Sequence, residues 1–385
     1  MEKNKKPKYD RRLFFAVVLL TLFGYIMVIS AHARVWVEHG FDVFAFEIFK
    51  TTAFIVAGFI LMIIVRNRYS LTGIMKRMNV LIIIATILMV STLFFPEVYG
   101  AQRWIRLPGI TIQPVEFVKL LYILFFSYHF GRFYNKKVKA GTVLRLPLLI
   151  IGITILFVFL LQGDLGSTLI LMMMTLCIFL AVPEKKYNKY KVVISLFMIV
   201  SIALFYIFGP SISEMIYSLP DDSSAKVRLL RIAVLFNPLE DVFNTGYQVT
   251  NSLVALVHGG LFGSGIGNST TKFILPEPYN DAIIAVIAEE LGLIGLAFLF
   301  VLYFYIISRL LNYAKLSKIN IYDRLILIGI ASFFAAQFFA NVGGMVGAIP
   351  MTGVTLLFVS SGGSSILSAF IAIGIAQGVI KKYIK

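Results

Sequence analysis

The chain has 385 residues, of which 59% are hydrophobic and only 14% are charged, and its mean hydropathy is +0.89. Its apolar runs of about 17 to 25 residues can cross a bilayer core of about 30 Å, so the sequence predicts an all-α, polytopic membrane protein. The single cysteine, Cys177, excludes a disulfide framework. The net charge of +16 is explained by membrane topology and anionic lipid headgroups, and it does not indicate nucleic-acid binding.

About ten apolar segments follow one another along the chain, and each is long enough to be a transmembrane helix. They cover residues 13–31, 44–65, 79–95, 114–131, 146–162, 165–182, 192–210, 282–308, 325–345 and 355–380. Lys and Arg residues are concentrated at both ends and in alternate connections: 1–12, 66–77, 132–145, 185–191, 309–324 and 381–385. Because basic segments stay on the cytoplasmic side, this alternation predicts cytoplasmic N- and C-termini, with residues 1–12 as a tail.

One connection is much longer than the others. Residues 211–281, between the seventh and eighth predicted helices, form an external loop of about 70 residues, and loops of that length are commonly functional or disordered. Aromatic and aliphatic residues occur throughout this loop, which favours order, and residues 225–236 alternate basic and apolar positions as an interfacial helix does. We therefore predict an ordered loop on the outer membrane surface, within a single domain that comprises residues 1–385.

Two pairs of opposite charges lie within the predicted helices, where an unpaired charge costs about 2.5 to 3.5 kcal/mol at the helix centre. Glu116 and Lys119 share one face of the fourth helix, so they can form a structural ion pair or line a substrate cavity. Glu47 and Lys50 have the same spacing near the end of the second helix. For this second pair, snorkelling to the membrane surface is the favoured interpretation.

Polar residues also occur in the short connections. Arg103 and Arg106 lie beside Trp104 before the fourth helix, where they can receive lipid phosphates by bidentate hydrogen bonds or anchor the loop at the interface. Asp164 precedes the sixth helix and is suited to capping it, with a direct binding role as the alternative.

Other polar patterns carry less information. Glu289 and Glu290, about two turns into the eighth helix, require a cavity or a distant cation, and a structural role is favoured. The glycine-rich run 263–269 is neither a Walker A nor a dinucleotide motif, so by itself it indicates only a flexible turn. The four histidines lack metal-ligand spacing and no Ser or Cys nucleophile motif occurs, which argues against soluble-type hydrolase chemistry.

Asp281 lies where the long polar loop gives way to the eighth apolar helix. A carboxylate at such a boundary can stay hydrated on one side and line a protein cavity on the other, as a general base acting on a lipid-borne substrate must do. The alternative is that Asp281 caps the helix that follows, and the residue type alone favours capping.

Several separate motifs in this order resemble the SEDS family (shape, elongation, division and sporulation), which are polytopic peptidoglycan glycosyltransferases typified by FtsW and RodA. The motifs occupy residues 100–105, 113–119, 162–166, 246–281, 350–353 and 361–365. The run Gly-Ile-Gly-Asn-Ser at 265–269, followed by Lys272, is similar to the FtsW branch. The resemblance covers nearly the whole chain.

This resemblance implies that the chain polymerises lipid II into glycan strands in the bacterial plasma membrane, with Asp281 as the general base. It implies that lipid II is bound by Arg103, Arg106, Glu116, Lys119, Asp164, Lys272 and Ser364. It also implies a divalent cation, Mg²⁺ or Mn²⁺, as a clamp on the leaving group, although the sequence shows no metal-ligand cluster. The implied partners are a class B penicillin-binding protein and other divisome proteins.

Two other functions remain open at the level of the sequence. The first is a lipid II flippase that uses the same intramembrane charges as a path for the headgroup. The second is a scaffold that recruits a class B penicillin-binding protein, and it does not exclude catalysis. The 211–281 loop that ends in a carboxylate favours the polymerase, since a transporter has little need of such a loop.

Overall fold

The computed structural model describes residues 9–97, 101–219, 224–237 and 246–384, and most of them are helical. The helices are α1 Arg11–Ala31, α2 Ala33–His39, α3 Phe41–Arg68, α4 Leu71–Lys76, α5 Met78–Ser91, α6 Val115–Arg132, α7 Ala140–Thr154, α8 Leu165–Leu180, α9 Asn188–Tyr217, α10 Ser224–Phe236, α11 Tyr247–Gly259, α12 Thr271–Ile274, α13 Ile283–Ala314, α14 Ile321–Met345 and α15 Gly363–Ile380. A π-helical stretch, Ile155–Leu161, continues α7. Two short strands, β1 Ile105–Leu107 and β2 Ile110–Ile112, pair as an antiparallel hairpin in which Ile105 lies opposite Ile112. The predicted all-α fold is thus confirmed.

Seven helical stretches among the described residues are long and apolar enough to cross a membrane. They are Arg11–His39, Phe41–Arg68, Ala140–Leu161, Lys185–Tyr217, Ile283–Ala314, Ile321–Met345 and Gly363–Ile380. Two of the remaining predicted segments form shorter apolar helices, Met78–Phe94 and Leu165–Leu180, and the third coincides with α6, which carries Glu116 and Lys119. The chain is therefore a multi-pass membrane protein, as the sequence predicts.

The boundaries differ from the prediction in two places. Residues 355–362, which the apolar pattern assigns to the last helix, form a loop instead, because Phe358 has a positive φ of 65° and α15 begins only after Gly362. In addition, α9 continues to Tyr217, so the predicted external loop begins later than residue 211.

The rest of the 211–281 segment is largely helical in its described part, where it contains α10, α11 and α12. The described part therefore contains regular secondary structure, and the order of the whole segment stays a prediction. Residues 220–223 and 238–245 of this segment lie outside the described residues, as do residues 1–8 of the predicted N-terminal tail. The position of α10 on the membrane surface stays a prediction.

Helices α14 and α15 form the centre of the bundle. In the most apolar 18 residues of α15, 83% of the residues are buried, and in those of α14 the share is 72%. In the most apolar 18 residues of the stretch that contains α9, only 6% are buried. Helix α15 packs against α3, and α14 packs against α6, α8 and α13, while α9 packs mainly against α10. Because α9 is apolar and lies at the periphery, its surface is suited to contact with lipid.

Helix α13 is interrupted at Gly292, which has a positive φ of 63°. In an unbroken helix, the carbonyl oxygens of Glu289 and Glu290 would accept hydrogen bonds from the N–H groups of Leu293 and Ile294. In this structure they accept from the N–H groups of residues 264 and 265, and the N–H groups of residues 293 and 294 donate to the carbonyl oxygens of residues 260 and 261. The loop after α11 therefore completes the hydrogen bonding of a broken transmembrane helix.

Candidate functional site

A polar cavity of about 360 Å³ lies at one end of the bundle. It is formed where the β1–β2 hairpin, the loop before α13 and the loop before α15 converge on α3. Its charged lining residues are Glu47, Lys50, Arg103, Arg106, Glu277 and Asp281. Basic and acidic side chains are therefore present together in a single cleft that is large enough for part of a polar ligand.

Asp281 lines this cavity just before the first residue of α13. It does not cap the helix, since the cap position is Ala282 and no side-chain oxygen accepts a cap hydrogen bond. Its backbone carbonyl accepts a hydrogen bond of 2.9 Å from Nδ2 of Asn341 on α14, which fixes the position of the residue. Burial raises the pKa of the Asp281 carboxyl to about 6. Such a carboxylate is a stronger base than an exposed one and is still largely ionised at neutral pH.

Arg103, which lies just before β1, is almost completely buried and also lines the cavity. Its Nη1 donates hydrogen bonds of 3.2 Å to Oδ1 of Asp164 and 3.2 Å to the carbonyl oxygen of Thr352. A Cβ atom on Gly353, whose φ is +62°, would lie 2.8 Å from Nη2 of Arg103 and 3.5 Å from Oδ2 of Asp281. The absence of a side chain at Gly353 thus allows the guanidinium and the carboxylate to lie close together.

Asp164 accepts a hydrogen bond from Arg103 but is not among the residues that line the cavity. It caps α8 by accepting a 3.0 Å hydrogen bond from the N–H of Ser167, which confirms the predicted cap. Its Oδ2 accepts a hydrogen bond of 3.2 Å from Nε2 of Gln113. Burial alone would raise its pKa, but the Arg103 guanidinium and the hydrogen bonds from Ser167 outweigh burial and lower the pKa of Asp164. Asp164 therefore remains ionised and orients Arg103.

The amino end of α15 forms the opposite wall. Ser364 lines the cavity, and its Oγ accepts a 3.0 Å hydrogen bond from the backbone N–H of Gln113. The cap residue, Gly362, offers no side-chain acceptor to the first turn of α15. Unsatisfied N–H groups and the helix dipole favour an anion at such a position, as does the neighbouring side chain of Arg106.

Glu116 and Lys119 are not brought to the cavity. Nζ of Lys119 lies 2.6 Å from Oε1 of Glu116, and both side chains are buried between α6, α14 and α15. Gln337 and Ser368 complete this polar cluster at 3.4 to 3.5 Å. Of the two predicted roles, the geometry favours the structural ion pair, because the charges neutralise each other within the bundle.

Lys272 also lies away from the cavity, contrary to the expectation that it faces the substrate. Its Nζ lies 3.2 Å from Oε1 of Glu290, and both side chains are buried. Glu289 accepts hydrogen bonds from the backbone N–H groups of Thr270 and Thr271, and from the hydroxyl of Ser269. The structural role that the sequence favours for Glu289 and Glu290 therefore also applies to Lys272. This lysine is the cation, distant in sequence, that neutralises Glu290.

Several cavity residues were not selected as site residues from the sequence. Lys50 and Glu47, interpreted as a snorkelling pair, form a 2.5 Å ion pair in the cavity wall. Tyr279 lines the cavity and its ring stacks on that of the buried His32 with a centroid distance of 4.1 Å. Asn341, which binds the backbone of Asp281, was not selected either, although an amide within an apolar segment is a signal that could have indicated a buried contact.

An apolar helical bundle with a charged cavity at one end, a carboxylate of raised pKa and a buried arginine defines a polytopic membrane protein with a candidate site for a polar ligand. The chain belongs to the FtsW/RodA/SpoVE family, because the family model, described as a cell cycle protein, matches residues 11–383. The SEDS resemblance seen in the sequence is thereby confirmed.

Known relatives and solved structures agree with this membership. The probable peptidoglycan glycosyltransferase FtsW of Bacillus subtilis (strain 168) is 32% identical over 98% of this chain and 92% of its own length. The stage V sporulation protein E of the same organism is 32% identical over 98% of both chains. A chain of a peptidoglycan synthase complex matches with a TM-score of 0.67 at 20% identity, covering 97% of this chain and 98% of that chain. The rod shape determining protein RodA of Thermus thermophilus matches with a TM-score of 0.61 at 22% identity, covering 97% of each.

Proposed function

We propose that this protein is a peptidoglycan glycosyltransferase that polymerises lipid II into glycan strands, and that it acts in cell division. The observation that carries the proposal is the Asp281 carboxylate, which faces the polar cavity beside Arg103 at the start of a transmembrane helix. Relatives that match over nearly the whole chain are named as probable peptidoglycan glycosyltransferases. The FtsW-like sequence at 265–272 supports the division role.

In the proposed reaction, Asp281 accepts the proton of a hydroxyl group on the acceptor sugar. The oxygen of that hydroxyl group bonds to the anomeric carbon of the donor sugar. The bond between that carbon and the pyrophosphate breaks, and the leaving group takes up the negative charge. Arg103, Arg106 and the amino end of α15 line the cavity and would stabilise this charge. Asp164 would act through Arg103, as a positioning residue.

A divalent cation remains part of the proposal, but the described residues do not form a resident metal site. No group of three or more His, Cys, Asp or Glu side chains that could hold a metal occurs in the described part of the chain. Mg²⁺ is commonly held by one or two carboxylates together with substrate phosphates. We therefore propose that the cation is carried by the pyrophosphate of the substrate.

The proposed assembly includes a class B penicillin-binding protein and other divisome proteins. One structure with the same fold is a chain of a peptidoglycan synthase complex, which supports such a partner. We further propose that the cavity faces outward and that both termini are cytoplasmic, in agreement with the distribution of basic residues.

The decisive experiment is polymerisation of labelled lipid II by the purified protein. We expect that Asp281→Asn abolishes glycan formation but preserves the melting temperature, because the amide has the same shape and cannot act as a base. Glu38→Gln is the matched control, since Glu38 pairs with Arg34 away from the cavity. Addition of EDTA should stop the reaction of the wild type.

Two outcomes would contradict the proposal. If Asp281→Asn still polymerises lipid II, Asp281 is not the base. If the wild type moves lipid II across a vesicle bilayer without forming glycan, the flippase is the better assignment. If Asp281→Asn forms no glycan but still co-purifies with a penicillin-binding protein, catalysis and scaffolding are separate properties.

A further inference from the structure

Residues 257–266, at the end of α11 and in the glycine-rich loop, carry several exposed apolar side chains, although this segment is predicted to lie outside the membrane. Val257, Leu261, Phe262 and Ile266 are 60 to 78% exposed. Four large apolar side chains in ten residues form a surface that water does not favour.

The depth of this segment follows from its bonds to α13. The carbonyl oxygens of Gly260 and Leu261 accept hydrogen bonds from the N–H groups of Leu293 and Ile294, so the two segments lie at one level. Leu293 lies 16 residues before Arg309, and at about 1.5 Å per residue this separation is about 24 Å. Arg309 pairs with Asp10 at the opposite end of the bundle, where basic residues are concentrated. A hydrocarbon core of about 30 Å that begins near Arg309 therefore includes this level.

The buried charged side chains next to this segment are paired within the bundle. Lys272 and Glu290 form a buried ion pair, and Glu289 is surrounded by the hydroxyl and N–H groups of residues 269–271. The backbone groups at the break in α13 are paired with those of the loop. Non-helical backbone at membrane depth is tolerated only when its polar groups are satisfied in this way.

We propose that residues 257–266 form a re-entrant segment whose apolar side chains insert among the acyl chains of the outer lipid leaflet. The occupant of this surface is lipid because the surface is continuous with the exposed side chains of Leu293 and Ile294, which belong to a transmembrane stretch. The segment is followed by α12 and the loop to Asp281. Insertion therefore anchors the external segment of the chain that carries Asp281 to the membrane.

The test uses single cysteines labelled with bimane in a Cys177→Ala background, with the full chain in nanodiscs of phosphatidylcholine and phosphatidylglycerol. Labels are placed at Phe262 and, independently, at Ile266. Ile294 on α13 is the lipid-facing control, and the exposed Leu107 in the β1–β2 hairpin is the aqueous control. The two quenchers are lipids brominated on their acyl chains and aqueous iodide.

We expect that the labels at positions 262 and 266 lose most of their fluorescence with brominated lipids and little with iodide, as the label at 294 does, whereas the label at 107 behaves in the opposite way. Quenching by iodide alone would overturn the proposal, because the surface would then be open to water and available to a protein partner. Quenching by neither would also overturn it, because another copy of the chain would then cover the segment.

Discussion

Two aspartates near Arg103 have pKa values that shift in opposite directions. Asp164 accepts a hydrogen bond from Arg103 and one from the N–H of Ser167, and these contacts lower its pKa although it is buried. Desolvation of the partly exposed Asp281 carboxyl has no comparable compensation, so its pKa rises to about 6. Pairs of carboxyl groups whose environments separate their pKa values often have different roles in catalysis. The difference is consistent with the proposed roles, in which Asp164 supports the charge of Arg103 and Asp281 accepts the proton.

This difference predicts the pH dependence of glycan polymerisation. A base must be deprotonated to act, and the raised pKa means that Asp281 loses this form as the pH falls through about 6. The kcat/KM for lipid II should therefore fall about tenfold between pH 7 and pH 5. Initial rates measured from pH 5 to pH 8 would check this expectation, with size-exclusion chromatography at each pH to show that the protein stays folded. A flat profile would contradict it.

The sequence located Asp281 because a carboxylate at a loop–helix boundary is conspicuous in an apolar chain and because the family motif includes it. It could not indicate that Asn341 holds the backbone of Asp281 or that Gly353 leaves space beside it, since these residues are 60 and 72 positions away. Contacts of this kind depend on how α14 and the loop before α15 pack. The pattern of residues along one sequence does not contain information about this packing.

At the scale of helices, charges inside the bundle occur as pairs that satisfy each other. Glu116 and Lys119 belong to one helix, and their spacing of three residues reveals the pair in the sequence. Lys272 and Glu290 belong to different elements, so their pairing emerges only in the folded structure. Removing one partner of a buried pair leaves an uncompensated charge, which is the costly change.

Lys272→Met should therefore destabilise the protein by about 3 to 5 kcal/mol, since Glu290 would remain buried without its cation. Denaturation in mixed micelles, followed by fluorescence, would measure the change. The double variant Lys272→Met/Glu290→Gln should regain part of the lost stability. Lys318→Met, at an exposed position, is the control and should change stability by less than about 0.5 kcal/mol. Wild-type stability of the single variant would show that the ion pair is unimportant.

The helices themselves were predicted well, because long apolar runs define them, whereas their interruptions were not. The break in α13 requires Gly292 and also the loop at residues 260–265, which supplies the missing hydrogen-bond partners. The loop at 355–362 begins with apolar residues that continue the hydropathy of the last helix, and the positive φ of Phe358 is what separates it from α15. Hydropathy measures the composition of a segment and is insensitive to both features.

At the scale of the whole molecule, the first and last described parts of the chain meet at the end of the bundle opposite the cavity. The backbone N–H of Asp10 donates to Oε1 of Gln377 at 2.9 Å, and Nε2 of Gln377 donates to the carbonyl oxygen of Asp10 at 2.9 Å. The Asp10 carboxylate also pairs with Arg309 at 2.7 Å. Since α15 begins at the cavity and Gln377 lies near its other end, the termini and the cavity are separated by the length of that helix.

This arrangement predicts which positions react with a membrane-impermeant maleimide in cells whose plasma membrane is intact. In a Cys177→Ala background, a cysteine at Leu107 should react, because the hairpin forms part of the outer cavity wall. Cysteines at Tyr9 and Ile384 should react only after permeabilisation. Reaction of either terminal cysteine in intact cells would contradict the proposed orientation.

The break in α13 also constrains how the chain is assembled during synthesis. The loop at residues 260–265 leaves the ribosome before α13, so its backbone groups have no partners in α13 until that helix arrives. Helix α13 in turn cannot adopt its final shape without the loop. The final shape of α13 and the docking of the loop therefore depend on each other, because each supplies the hydrogen-bond partners that the other lacks.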